Sequence, residues 1–145
     1  RRGVLHLVHP VFVHATVAFL IVGGVVEAYG LTRRHESAAR FGGSLVVLGT
    51  ISLVPTIVAG FLAENSLAFT PAGGEAVDDH ERLGLMVLGV FVPLLLMKAW
   101  GRGGPPARFR GLYVAGLLVG IALTVATSYF GGFMVYRLGV GVAAP

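Results

Sequence analysis

Cysteine is absent from this 145-residue sequence, and charged residues are scarce. Without cysteine the chain cannot form disulfides, ligate an iron–sulfur cluster through thiolates, attach haem c covalently or use a thiol nucleophile. Charged residues make up 12% of the sequence, whereas about a quarter is usual in a soluble globular domain. The sequence also has no phosphate-binding glycine loop and no nucleophile–base pair, so a self-contained kinase or hydrolase is not expected.

Long apolar stretches dominate what is present. A membrane-spanning helix needs roughly 20 apolar residues. Four stretches approach or exceed that length: residues 11–31, 41–62, 83–100 and 112–133. Only short loops lie between them, so we expect one all-α domain over residues 1–145, an integral membrane up-down four-helix bundle in the lipid bilayer. The first two stretches show no sequence match to the last two, and we therefore predict no internal repeat.

Basic residues are unevenly distributed between the two sides of the predicted bundle. Four spans place both termini on one side, which carries four basic residues: Arg1, Arg2, Arg82 and Arg137. The opposite side carries seven: Arg33, Arg34, Arg40, Lys98, Arg102, Arg108 and Arg110. Because cytoplasmic loops are enriched in lysine and arginine, we expect the second side to be cytoplasmic and both termini to lie outside. The net charge of +4 is then a topology signal and does not indicate nucleic-acid binding.

Several residues near the span ends carry local predictions. Pro10 is expected at the first position of the first helix, with His9 as its N-cap, because a proline there loses no hydrogen bond. Asp78 or Asp79 is expected to cap the third helix. Glu27 is expected to extend towards the arginines of the cytoplasmic side, with a proton-relay role as the alternative. Aromatic residues near the span ends predict an interfacial belt: Tyr29, Trp100, Tyr113, Tyr129 and Tyr136.

Four histidines lie at the entrances to the first and third spans: His6, His9, His14 and His80. An imidazole in an apolar bundle indicates a ligand-binding role. His14 lies roughly 7 Å deeper than His9 and about 140° around the helix, so the two cannot both face one small ligand on a regular helix. We hypothesise that a haem b lies between the first and third helices, ligated axially by His14 and His80, with His9 as the substitute ligand.

The surroundings of this haem are less well specified. Its propionates are expected near basic residues of the terminal side: Arg82, Arg137, Arg1 or Arg2. A quinone site could lie beside the haem, although no residue specifies one.

Two other interpretations of the histidines stay open. Imidazoles at a membrane boundary often cap helices or bond to carboxylates, and four are available: Glu64, Asp78, Asp79 and Glu81. A non-haem site for zinc or copper would combine a carboxylate with His6, His9 or His80, but the spacing matches no specific motif.

Two segments resemble a family of small membrane proteins, the domain of unknown function 2231. Residues 9–14 resemble its opening HPxxVH, and residues 131–142 resemble its ending GGxxVYRxGVGV. His80 stands where that family tends to carry a histidine at the start of the third span. Phe133 and Leu138 depart from the family, whose members often have Glu and His there, so the tail is not expected to supply a ligand. With four spans between the segments, the resemblance covers nearly the whole chain.

The resemblance implies an electron-transfer context in a prokaryotic cell membrane, since some members of that family are joined to Rieske or cytochrome c domains. We therefore predict a haem b-type electron-transfer subunit that passes electrons between membrane quinone and an outer-side redox partner. The alternative is a cofactor-free structural subunit that anchors other subunits. A hetero-oligomer is expected, because not all of the glycines on the helix faces can be satisfied inside one four-helix bundle, so some of them should meet another chain: Gly23, Gly24, Gly42, Gly43, Gly116 and Gly120. The tail after Phe133 and the loop 64–79 are expected to contribute to that contact.

Overall fold

The computed structural model describes residues 5–65, 67 and 70–142, and their side chains from residue 9 onward. Four long helices form the bundle: α1 (Leu5–Arg33), α2 (Glu36–Glu64), α3 (Pro71–Trp100) and α4 (Arg110–Leu138). A short 3₁₀ helix, Ala107–Phe109, precedes α4. Every one of the four long helices is long and apolar enough to cross a membrane. The predicted all-α, four-helix membrane architecture is therefore confirmed.

The helices are longer than the apolar stretches, and this changes two of the predicted helix starts. α1 is already helical at Leu5, so Pro10 lies inside the helix and His9 is not its N-cap. α3 begins at Pro71, where the ring fits the first helical position without losing a hydrogen bond. The hydroxyl of Thr70 accepts a hydrogen bond from the Gly73 amide at 3.2 Å and caps the helix. Asp78 and Asp79 lie within α3, so the prediction that they cap it was wrong.

Helix packing makes two hairpins that lie side by side. α1 packs along α2, α3 packs along α4, and α1 also contacts α4, which leaves α1 and α3 diagonally opposite. The centre holds large apolar side chains such as Leu20, Phe91 and Leu117, all fully buried. The outer surface is apolar as well, since many large hydrophobic side chains are at least half exposed, including Val22, Ile51, Leu96 and Leu118. An apolar exterior around an apolar centre is what the hydrocarbon core of a bilayer accommodates.

The glycines predicted to meet another chain instead pack within the bundle. A Cβ added to Gly23 would come within 2.7 Å of the Leu45 side chain. A Cβ at Gly24 would meet Ile121 at 2.9 Å, and one at Gly116 would meet Leu94 at 2.8 Å. Close helix approach inside the chain accounts for these small residues. They therefore give no argument for a partner subunit.

The two hairpins repeat one packing arrangement, which the sequence comparison missed. Leu20 of α1 lies against Gly49 of α2, and Phe91 of α3 lies against Gly120 of α4. Each member of the second pair follows its counterpart by 71 positions. With helices alternating in direction, α1 corresponds to α3 and α2 to α4 about an approximate two-fold axis along the bundle, as in membrane proteins built from parallel repeats.

Small and large residues also exchange sides between the halves, which conceals the repeat. In the first half Gly23 of α1 faces Leu45 of α2, whereas in the second half Leu94 of α3 faces Gly116 of α4. The same 71-residue offset relates both positions, but the glycine has moved to the other helix. Packing volume is kept while sequence identity is lost. Only scattered positions, such as Gly49 and Gly120, keep the same residue type at this offset, which is why the sequence comparison missed the repeat.

Candidate functional site

Two histidines at corresponding positions of the halves make the same hydrogen bond. Nδ1 of His9 on α1 lies 2.9 Å from the carbonyl oxygen of Thr56 on α2. Nδ1 of His80 on α3 lies 3.0 Å from the carbonyl oxygen of Thr127 on α4. In each pair the carbonyl belongs to a residue 47 positions after the histidine. The repeat thus brings two imidazoles, on diagonally opposite helices, to the same level of the bundle.

These hydrogen bonds determine which ring nitrogen is free. A carbonyl oxygen only accepts, so Nδ1 of each histidine carries the proton and donates it. In the neutral ring Nε2 then has an unprotonated lone pair. Neither Nε2 has a hydrogen-bond partner among the described residues, and no fully buried side-chain nitrogen or oxygen there lacks one. The two Nε2 atoms are therefore accessible, and they are ready to bind a metal or accept a proton.

Both imidazoles line one cavity of about 350 Å³ inside the bundle. Its walls are mainly apolar and include Leu20, Leu53 and Val87. The Thr16 hydroxyl, also at the wall, lies 2.8 Å from the Thr56 hydroxyl. The cavity is thus an apolar space of ligand size lined by two imidazoles, an arrangement typical of cofactor sites between bundle helices.

Glycine makes room for each imidazole. A Cβ at Gly60 would lie 3.2 Å from Cε1 of His9, and a Cβ at Gly131 would lie 3.1 Å from Cε1 of His80. Gly131 also follows Gly60 by 71 positions, so the glycine is part of the repeated arrangement. Both distances are tighter than ordinary packing allows. A larger side chain at either position would therefore move the ring.

The C-terminal segment closes one side of the cavity. α4 ends at Leu138, and Gly139 takes a left-handed conformation with a φ of 67°. Gly141 does the same with a φ of 75°, which glycine adopts without strain. The chain then turns so that Val140 and Val142 line the cavity. The two segments that resemble the family, at the start and end of the chain, therefore converge on one site.

Two carboxylates stand at the same cavity. Glu64 at the end of α2 and Glu81 next to His80 both line it. Their carboxyl groups lie within hydrogen-bonding reach of each other, and Asp78 is close by. Within the described residues, however, no three histidine, aspartate or glutamate side chains are arranged to hold a metal ion. A four-coordinate zinc site is therefore unsupported, and the two imidazoles remain the pair of candidate ligands.

Some of the predicted site residues lie elsewhere. Nδ1 of His14 lies 2.5 Å from the Pro10 carbonyl of its own helix, and its side chain is exposed and outside the cavity. Because α1 starts at Leu5, His9 lies in regular helix and faces inward, which turns His14 away. Arg82 is exposed beside Asp79, and Arg137 is exposed; neither lines the cavity. The side chain of His6 lies outside the described residues.

A second polar cluster occupies the other end of the bundle. The Lys98 ammonium donates to Glu27 Oε1 at 2.5 Å, and the Tyr113 hydroxyl donates to Glu27 Oε2 at 3.1 Å. All three side chains are buried, and Glu27 is only 1% exposed. Glu27 follows His9 by 18 positions on α1, so the cluster lies roughly 27 Å from the histidines.

This cluster overturns two sequence-based predictions. Glu27 does not reach towards the arginines, and Tyr113 is not part of an interfacial belt. Lys98, counted among the basic residues of that side, is buried. The other four aromatic residues of that belt are more than half exposed: Tyr29, Trp100, Tyr129 and Tyr136. The signal that could have revealed the pair is again the offset, since Lys98 follows Glu27 by 71 positions. Opposite charges at corresponding positions of the two halves predict an ion pair across the approximate two-fold axis.

Four membrane-length helices around a histidine-lined cavity define a polytopic helical membrane protein with a candidate binding site near one end of its bundle. The chain belongs to the family described as predicted membrane protein (DUF2231), whose family model matches residues 5–144. No curated protein and no solved structure matches the chain. The family description gives a membrane location and no function. Any indication of function therefore comes from the site.

Proposed function

We propose that this protein is a membrane electron-transfer subunit that holds haem b between His9 and His80. The observation that carries the proposal is a pair of imidazoles on diagonal helices that line one apolar cavity and use only Nδ1 in their hydrogen bonds to the bundle. Axial haem ligands are commonly histidines whose other ring nitrogen donates to a carbonyl or carboxylate. The ligand pair differs from the His14–His80 pair expected from the sequence, because His9 and not His14 lines the cavity.

The residues around the cavity fit this group. Apolar walls suit a porphyrin face, and bound haem supplies a one-electron carrier. The carbonyls of Thr56 and Thr127 hold the Nδ1 protons and so fix both ring orientations. Gly60 and Gly131 leave the space in which the rings stand. Val140 and Val142 add apolar side chains to the lining of the site.

The acidic side of the cavity favours a second candidate, a copper(I) site on the same two imidazoles. Glu64 and Glu81 line the cavity and attract cations, whereas they repel the propionates of a haem. Of the arginines expected near those propionates, Arg82 and Arg137 are outside the cavity, and Arg1 and Arg2 lie outside the described residues. Imidazole nitrogens suit copper, and a low-coordinate copper(I) ion needs no third protein ligand. The two candidates share their ligands and differ in the ion and the space it needs.

The absorption spectrum of the purified chain tests the proposal. We expect a Soret band and sharp α bands of six-coordinate low-spin haem after expression with a haem supply. His9→Ala and His80→Ala should each abolish these bands or convert them to a five-coordinate spectrum. His14→Ala and His35→Ala are matched controls, since neither histidine lines the cavity, and both should leave the spectrum unchanged. Helical content by circular dichroism confirms that each variant is folded.

The other outcomes are equally informative. A spectrum lost in His14→Ala but kept in His9→Ala contradicts the ligand assignment. A colourless protein that binds one copper(I) ion, and loses it in both His9→Ala and His80→Ala, replaces haem with the copper site. A folded protein that takes up neither haem nor copper overturns both candidates and leaves the cofactor-free anchoring subunit.

We further propose that electrons pass between membrane quinone and a redox partner on the side of the bundle where His9 and His80 lie. We propose that this partner is a separate subunit, so that the protein works within a hetero-oligomer. Native mass measurement after mild detergent extraction tests this. A second chain should copurify, and it should be lost when residues 136–142 are deleted. A single chain with unchanged mass in both preparations contradicts the hetero-oligomer.

A further inference from the structure

At the end of the bundle opposite the histidines, positive charge is poorly balanced. Six arginines are exposed there: Arg33, Arg34, Arg40, Arg102, Arg108 and Arg110. Glu36 is the sole exposed acidic residue on that end among those described, and it pairs with Arg40 at 2.6 Å. The Arg108 guanidinium stacks 4.7 Å from the Phe109 ring centroid and 5.2 Å from that of Trp100. The remaining arginines have no carboxylate partner in the described part of the chain.

Two of these unpaired arginines share a cavity. It has a volume of about 380 Å³ and is lined by Gly30, Leu31, Arg34, Glu36, Ala39 and Arg110. Arg34 comes from the turn between α1 and α2, and Arg110 is the first residue of α4. The cavity is therefore lined by two separate parts of the chain that meet at one end of the bundle. It is distinct from the histidine cavity, with which it shares no lining residue.

The backbone at this turn is held in an uncommon conformation. Arg34 has a φ of 57°, in the left-handed region that residues other than glycine seldom adopt. The amide of His35 donates to the Gly30 carbonyl at 2.8 Å, which closes the turn tightly on the end of α1. Gly30 packs directly on the backbone of Ala39, and both residues line the cavity. The turn leaves a recess with an arginine at its edge.

We propose that this recess binds the phosphate headgroup of an anionic phospholipid. A guanidinium donates two parallel hydrogen bonds to phosphate oxygens, and two arginines line this recess. The carboxylate in the lining, Glu36, is paired with Arg40. The recess lies at the end of membrane-spanning helices, where a lipid headgroup is present and its acyl chains can lie along the apolar exterior. Basic pockets between such helices bind anionic headgroups. This site is independent of the histidine cavity and of any cofactor there.

Binding of short-chain lipids to the full chain in detergent tests the assignment. Dioctanoyl phosphatidylglycerol should bind at least about tenfold more tightly than dioctanoyl phosphatidylcholine, which has the same chains but no net charge. The double variant Arg34→Gln/Arg110→Gln should lose at least about tenfold in phosphatidylglycerol affinity. Arg82→Gln/Arg137→Gln is the matched control, because it removes the same charge from exposed arginines at the other end. That control should change the affinity by less than about twofold.

Three results would overturn the proposal. Equal affinity for the two lipids means that the headgroup charge is not recognised. An equal loss in both double variants means that diffuse charge, and not the recess, attracts the lipid. Inorganic phosphate that binds as tightly as phosphatidylglycerol and competes with it assigns the recess to a soluble anion. Arg34→Lys/Arg110→Lys keeps the charge while removing the paired donors, and should bind with intermediate affinity if the variants are folded.

Discussion

Glu27 and Lys98 occupy corresponding positions in the two halves of the bundle and neutralise each other at a distance of 2.5 Å. Their side chains are 1% and 7% exposed, so the contact is closed to solvent and to lipid. Tyr113 supplies the second carboxylate oxygen with a donor. The pair joins the first helix to the diagonal third helix, which otherwise lie apart. Removing either charge leaves the other buried without a counter-ion.

We therefore expect Glu27→Gln or Lys98→Met to destabilise the bundle by about 3–5 kcal/mol, the usual result of breaking a buried ion pair from one side. Equilibrium unfolding in mixed micelles measures this free energy. Glu36→Gln is the control, because it breaks an exposed pair with Arg40 and should cost about 1 kcal/mol or less. Similar losses in Glu27→Gln and Glu36→Gln would show that burial adds nothing to the pair.

Exchanging the two charges tests the correspondence between the halves. Glu27→Lys alone places two ammonium groups together, so the fold should be severely weakened. The double variant Glu27→Lys/Lys98→Glu restores opposite charges at related positions and should recover about 2 kcal/mol or more relative to the single variant. The same unfolding assay measures the recovery. A double variant no more stable than Glu27→Lys contradicts the equivalence of the two positions.

Gly43 provides the space in which the charged pair lies. A Cβ there would collide with the Lys98 ammonium and approach Glu27 Oε1 to 2.9 Å. Gly43→Ala should therefore destabilise the bundle by about 1–3 kcal/mol, the usual cost of overpacking. Gly89→Ala is matched to it, because a Cβ at Gly89 meets no neighbouring atom and alanine is the better helix former. The thermal midpoint should fall in the first variant and stay level or rise in the second.

Gly131 holds open the position of the His80 ring. Gly131→Val should push the imidazole away from the Thr127 carbonyl, and the haem content should fall while the helical content is kept. Gly132→Val is a close control, since a Cβ at Gly132 meets nothing within 4 Å. Haem content is measured as the pyridine haemochrome per chain. Equal haem content in the two variants would mean that the His80 ring is not confined by Gly131.

The architecture could be predicted from the apolar stretches alone. The thickness of the bilayer sets the length of a spanning helix, and the polar loops mark where each span ends. The helix ends were harder, because α1 begins a turn before Pro10 and α3 begins at Pro71, and both starts lie well before the apolar stretches used to place the helices. His80 was found because it stands out in an apolar stretch. His9 was ranked below His14 because the sequence placed the start of the first helix one turn too late.

The buried charges escaped sequence reasoning for a different reason. A lone carboxylate near the end of a span is ordinarily placed in the interface, and nothing local to Glu27 says otherwise. Its partner is 71 residues away, in a half whose packing residues have changed size. The three-dimensional correspondence between Leu20 and Phe91 aligns the halves and matches the two charges.

The unlike charges at these positions also determine which hairpins can associate. Two first hairpins placed about the same axis would bring Glu27 against its own copy, and two second hairpins would bring Lys98 against its own copy. Either arrangement buries a pair of like charges, which costs several kcal/mol. The α1–α2 hairpin therefore pairs favourably with an α3–α4 hairpin and unfavourably with a second α1–α2 hairpin. Apolar helix surfaces discriminate poorly between partners in a membrane. The Glu27–Lys98 contact therefore favours pairing of the two hairpins of a chain over pairing of two like hairpins from different chains.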